Sequence, residues 1–86
     1  MKLEKSLRSV WQKTLIERLR CVRKKHNLTQ KQLSALLGKA NSFVARVENG
    51  ERRLDVPEFI RYMQILGEDP ITFFNDYTKN ILQKEP

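Results

Sequence analysis

The sequence predicts an all-α fold of five helices in a single domain spanning residues 1–86. Apolar residues recur every three or four positions for most of its length, the repeat of an amphipathic helix. Helix-start signals of the form Ser/Thr/Asp-x-x-Gln/Glu precede three of those runs, and no stretch alternates convincingly enough for a strand. Eighty-six residues can bury one core but not two.

Residues 1–8 are short and basic, with only Leu3 and Leu7 apolar. They read as a frayed tail, with a helical extension or an arm reaching a partner as alternatives. Ser9 and Gln12 form the first capping box, and a helix is expected from there to about His26. Its apolar stripe is Trp11, Leu15, Ile16, Leu19 and Val22, and Lys24, Lys25 and His26 suit the negative end of the helix dipole. Asn27 is a plausible stop. Thr29 with Gln32 then caps a second helix, Leu28 and Leu33 form the staple, and Leu33, Leu36 and Leu37 run as a stripe to Gly38. After a tight turn, Ala40, Val44, Val47 and Glu48 share one side of a short third helix, while Asn41, Ser42, Ala45, Arg46 and Asn49 lie across its flank and far side. Two short helices joined by a glycine turn, the second with a polar face carrying an arginine, describe a helix-turn-helix over residues 28–49.

Residues 49–53 read as a polar loop. Asp55 with Glu58 and Leu54 with Phe59 supply box and staple for a fourth helix, and Pro57 falls in its first turn. Phe59, Ile60, Met63 and Leu66 are its expected buried face, and Gly67 ends it. Asp69-Pro70 starts a fifth helix, residues 69–84, with Ile71, Phe74, Tyr77, Ile81 and Leu82 along one side.

Residues 28–52 carry the letters LTQ..L..LLG...S.V.R.E.G.R, and in that register the chain resembles the XRE family of phage-repressor and Cro-like DNA-binding domains. The likeness extends upstream through residues 19–23 and downstream through residues 50–55 and 66–70. It implies a lambda-repressor-like five-helix domain that binds double-stranded DNA and regulates transcription. Physical chemistry gives the third helix's residues their roles. Arg46 can donate two hydrogen bonds to guanine, Asn41 can pair with adenine, Ser42 can reach a base or a phosphate, and the Ala45 methyl suits thymine. The resemblance assigns Gln30 to a phosphate and to bracing the recognition residue, and the free N–H groups of a helix start agree with an anion there. Lys31, Lys39, Asn49 and Arg52 are further backbone-contact candidates, with Arg53 weaker because Asp55 can pair with it. The resemblance also places an ion pair between Arg23 and Glu48, and Glu48, on the core side of its helix, needs such a partner. Three letters depart from the family pattern. Ala40 stands where a capping Ser or Thr, or a Pro, is usual, leaving Asn41 as the substitute cap; Ser34 replaces a small Ala; Phe43 sits on the flank of the reading helix, beside the neighbouring loop.

The charge is unevenly spread. Residues 1–39 hold eleven Lys/Arg against two Glu, whereas residues 54–86 hold three basic against six acidic side chains, within an overall +7. A basic front half fits a polyanionic partner. Cys21 is the only cysteine, which excludes an intrachain disulfide and suits a reducing cytoplasm. No uncharged run exceeds the seven residues from Gln32 to Gly38, so no membrane span is expected, and the charged N-terminus does not read as a signal peptide. The single histidine, His26, has no neighbouring ligand, and no paired carboxylates or phosphate-cradling loop appear, so no metal, cofactor or enzyme activity is expected. The fifth helix holds more apolar surface than so small a core needs. Phe73, Phe74, Tyr77, Ile81 and Leu82 are therefore candidates for a homodimer contact as well as for the base of the domain. The expected function is a repressor occupying an operator. An antitoxin or restriction-modification controller with an added protein partner is the rival of the same class, and a protein-interaction adaptor the rival of another.

Overall fold

A computed structural model of the protein describes the backbone of residues 2–84 and the side chains of residues 10–83. Five helices follow one another without a strand among the described residues: α1 Lys2–Lys25, α2 Gln30–Leu36, α3 Phe43–Glu48, α4 Val56–Leu66 and α5 Pro70–Lys84. The long first helix packs against α5 and α3, and α2 packs on α3.

Helix α1 does not begin at Ser9, because the backbone is helical from Lys2. Residues 2–8 contain no Gly, Pro or β-branched residue, and Lys, Leu, Glu and Arg are strong helix formers, so nothing interrupts the backbone before the Ser9 box. The backbone there is thus the helical extension and not the frayed tail, while its side chains, and so its use as an arm, lie outside the described residues. At the other end Asn27 adopts φ 57°, and Leu28 N–H donates to Arg23 O while Asn27 N–H donates to Lys24 O. That pair of bonds is a Schellman closure around a left-handed residue, a conformation Asn tolerates better than other non-glycine residues. Gly38 closes α2 in the same way, with φ 71° and with Lys39 N–H donating to Ser34 O.

The core is built from Leu19, Val22, Leu33, Leu37, Phe43, Val44, Val47, Tyr62, Met63, Leu66 and Phe73, with Leu15, Leu28, Leu54, Phe59, Ile65 and Tyr77 packed around it. Four apolar residues expected inside lie outside. Trp11 is 46% exposed in the third turn of α1, Leu36 and Ile60 face solvent, and Ala40 is an exposed turn residue rather than part of α3. Helical spacing alone cannot say which edge of a broad apolar stripe finds a neighbour. On α4 the buried edge is the Tyr62–Met63–Leu66 side, so Tyr62 replaces Ile60 in the core. On α5, Phe73 and Ile81 are buried and Tyr77 is partly covered, its hydroxyl donating to Trp11 O at 2.9 Å, while Ile71, Phe74 and Leu82 face outward. Phe73 and Ile81, two of the residues offered for either role, are turned into the domain's own interior.

Candidate nucleic-acid interface

The capping box that starts α2 fixes the first half of the site. Thr29 Oγ1 accepts from Gln32 N–H at 3.0 Å, and Gln32 Oε1 accepts from Thr29 N–H at 2.9 Å. This holds Gln30 and Lys31 at the exposed start of the helix. The second half, α3, is only six residues long and depends on its neighbours for orientation. Neither Ala40 nor Asn41 caps it, and Ser42, its N-cap, makes no side-chain cap bond. The cap comes instead from across the turn. Ser34 Oγ accepts from Val44 N–H at 3.0 Å and donates to Gln30 O at 2.8 Å, inside a fully buried contact. A residue that the sequence suggested was merely small enough to tolerate is the polar link between the two helices. The absent cap at Ala40 was the available signal that another group must serve that N-terminus.

Glu48 fixes the other end of α3. Its carboxylate is buried, and Arg23 reaches both oxygens, Nε to Oε2 at 2.7 Å and Nη2 to Oε1 at 3.0 Å. Gln30 Nε2 donates to Oε1 at 2.8 Å, and Arg20 adds an ion pair at 3.4 Å and a bond from Nη2 to Glu48 O at 3.1 Å. Burial alone would raise this carboxyl, but the bonds from Arg23, Gln30 and Arg20 outweigh it and hold the group below its ordinary 4.5. Arg23 also donates Nη1 to Leu28 O at 2.8 Å, which joins α1, the α1–α2 turn and α3 at one guanidinium. Arg20 was not anticipated, although its position three residues before Arg23 puts both on one face of α1.

With Phe43, Val44, Val47 and Glu48 facing inward, α3 turns Asn41 and Ser42 at its start, half-exposed Ala45, and Arg46 and Asn49 further along toward solvent. The Arg46 side chain is 56% exposed and meets the equally exposed Glu51 at 3.8 Å. Gln30 is bonded to Glu48, so its amide braces the end of α3 from within the protein. Lys31 is exposed beside it. Lys39 and Arg52 lie over the Phe43 ring, 5.4 and 5.2 Å from its centroid, and both reach Glu58. Phe43 is therefore buried beneath two cations and unavailable for stacking on bases. Arg53 makes no pair with Asp55; Asp55 instead caps α4, accepting from Glu58 N–H at 2.8 Å. His26, read as isolated, contacts Glu68 at 2.7 Å, as does Lys25 at 3.2 Å, so these two tie the end of α1 to the α4–α5 turn. Among the described residues no group of three His, Cys, Asp or Glu side chains is arranged to hold a metal. Among the described residues no helix is long and apolar enough to cross a membrane.

Residues 19–73 match a family model described as helix-turn-helix. The fold resembles that of an XRE-family like protein from Pseudomonas syringae pv. tomato str. DC3000, with a TM-score of 0.83, 34% identity, and coverage of 92% of this chain and 96% of that one. It also resembles the wild-type restriction-modification controller protein C.Esp1396I, with a TM-score of 0.75, 19% identity, and coverage of 84% of this chain and 95% of that one. No curated protein matches in sequence.

Proposed function

The chain belongs to the XRE family of helix-turn-helix proteins, DNA-binding transcriptional regulators, and on that premise we propose that it is a repressor that acts by occupying an operator. The observation that carries this reading is the division of α3. Its inward side is locked by Ser34, Arg23 and Gln30, while Asn41, Ser42, Ala45, Arg46 and Asn49 project from its outer side. A rod fixed at both ends with short polar side chains and an arginine outside matches what a major groove admits. In this proposal Arg46 reads guanine, Asn41 and Ser42 contribute at the helix start, and Lys31, Lys39, Asn49 and Arg52 grip phosphates. Gln30 serves mainly as the brace on Glu48. The protein acts as a homodimer through the outward side of α5, where Ile71, Phe74 and Leu82 are left after Phe73 and Ile81 enter the core.

Selection from randomised duplexes, followed by footprinting, tests the proposal. A defined site with two related halves is expected, with affinity falling steeply as salt rises. Arg46→Ala should weaken binding by about 1–3 kcal/mol at one base position and relax preference there, with little change in salt dependence. Binding that ignores salt would favour the adaptor reading over a DNA reader, and a variant that keeps its full base preference would remove Arg46 from the reading role. A protected site whose occupation raises transcription would overturn the repressor mode alone.

A further inference from the structure

Two of the cations placed to grip phosphates converge on one internal carboxylate. Arg52 meets Glu58 through both terminal nitrogens, Nη1 to Oε1 at 3.1 Å and Nη2 to Oε2 at 2.5 Å. Lys39 Nζ, which also lies over the Phe43 ring, approaches the same Oε2 at 3.8 Å. The Glu58 side chain is largely covered, at 17% exposure, while the Arg52 and Lys39 side chains stay open at 38% and 43%. Arg46 differs: its single 3.8 Å contact to a freely exposed Glu51 restrains it little.

Resting on the reading that Lys39 and Arg52 contact the DNA backbone, we propose that Glu58 sets the strength of the backbone grip by occupying both cations in the free protein as an internal stand-in for a phosphate. A carboxylate and a phosphate offer a guanidinium the same two-oxygen edge, so one can replace the other on Arg52. Binding to random DNA depends almost wholly on phosphate contacts, each of which releases condensed counterions. With Glu58 in place, a phosphate must displace it before it gains the two cations, so the backbone grip is weakened on any sequence. A duplex is then held at low protein concentration only where Arg46 and its neighbours also fit their bases. The hydrogen bonds from Arg52 and from Asp55 N–H hold the Glu58 carboxyl below its ordinary range, so it stays charged and competitive near neutral pH.

Glu58→Gln tests this, because glutamine at the third helical position preserves the capping box with Asp55 while removing the charge. Fluorescence anisotropy with a short duplex of random sequence gives affinity over a range of salt concentrations. The variant should bind about five- to tenfold tighter than wild type at about 0.1 M salt, with the log–log salt slope steeper by about 0.9, the equivalent of one added phosphate contact. The same substitution made in a Lys39→Ala/Arg52→Ala background should add nothing. Unchanged or weaker binding, an unchanged slope, or an equal gain without the two cations would each overturn the proposal. Glu58→Asp keeps the charge but draws it back by one methylene; it should shift both readouts the same way by less, and serves if the glutamine variant does not fold. A wild-type chain that ignores duplex DNA at low salt would overturn the DNA-binding reading itself, an outcome distinct from wild type and Glu58→Gln binding alike.

Discussion

Glu48 is the residue on which the orientation of α3 depends, because a buried carboxylate is tolerated only while its donors remain in place. Arg23 supplies two of them, both at normal hydrogen-bond length. Replacing it with Met keeps the apolar stem and removes the charge. Arg20 and Gln30 still reach the carboxylate, so the cost should fall at the low end of the range for breaking a buried pair, about 3 kcal/mol. The pH dependence separates lost pairing from lost packing. Glu48 titrates below its ordinary 4.5 when folded, so its contribution to stability is complete above about pH 4.5 and disappears as pH falls through the folded value. In Arg23→Met much of that contribution is already absent. Thermal melts of the two proteins should therefore converge as pH drops below 4.5, whereas a gap constant with pH would mean that packing alone was lost.

At the scale of elements, the reading helix is too short to hold itself and takes its N-terminal cap from Ser34 on α2. Ser34→Ala removes the acceptor for a buried Val44 N–H, which no nearby side chain replaces. The expected loss is about 1–2 kcal/mol, or a melting temperature lower by roughly 5–10 °C in a domain of this size. A melt within a degree or so of wild type would mean that the α3 N-terminus is satisfied some other way. This contact also marks where the sequence stops being legible. Local signals were read correctly: the Thr29–Gln32 and Asp55–Glu58 boxes, the Asn27 and Gly38 stops, and Pro70 at the start of α5 each involve residues within a few positions of one another. Ser9 was misread because a capping pair inside an unbroken run of helix formers does not have to start a helix. Ser34 on Val44, Arg20 on Glu48 and Glu58 under Lys39 and Arg52 depend on how elements meet, which periodicity does not specify. The same limit applies to α4, where Ile60 and Tyr62 both lie on the broad apolar side and only the packing of the helix into the core chooses Tyr62.

At the scale of the whole molecule, the acidic second half is used largely to hold the basic first half. Asp76 pairs with Arg18 at 3.5 Å, and Glu68 meets both Lys25 and His26, so α5 and the turn before it fasten onto α1 with the two helices running in opposite directions. Once Phe73, Tyr77 and Ile81 have turned inward, α5 is left with Ile71, Phe74 and Leu82 outward, at 69%, 55% and 70% exposure. Large apolar side chains grouped on one exposed helix face in so small a domain suit a second copy of the same helix across a two-fold axis. Phe74→Glu/Leu82→Glu places charge on that face without touching the core residues. The double variant should melt like wild type but sediment as a monomer where wild type is a dimer, and should bind a two-half operator more weakly and without cooperativity. Wild-type footprints should show half-sites about 10 bp apart, the spacing that lets two reading helices enter successive major grooves on one side of the duplex. A wild-type monomer at high concentration, with and without DNA, would remove the dimer and leave α5 as the base of a protein that reads a single half-site.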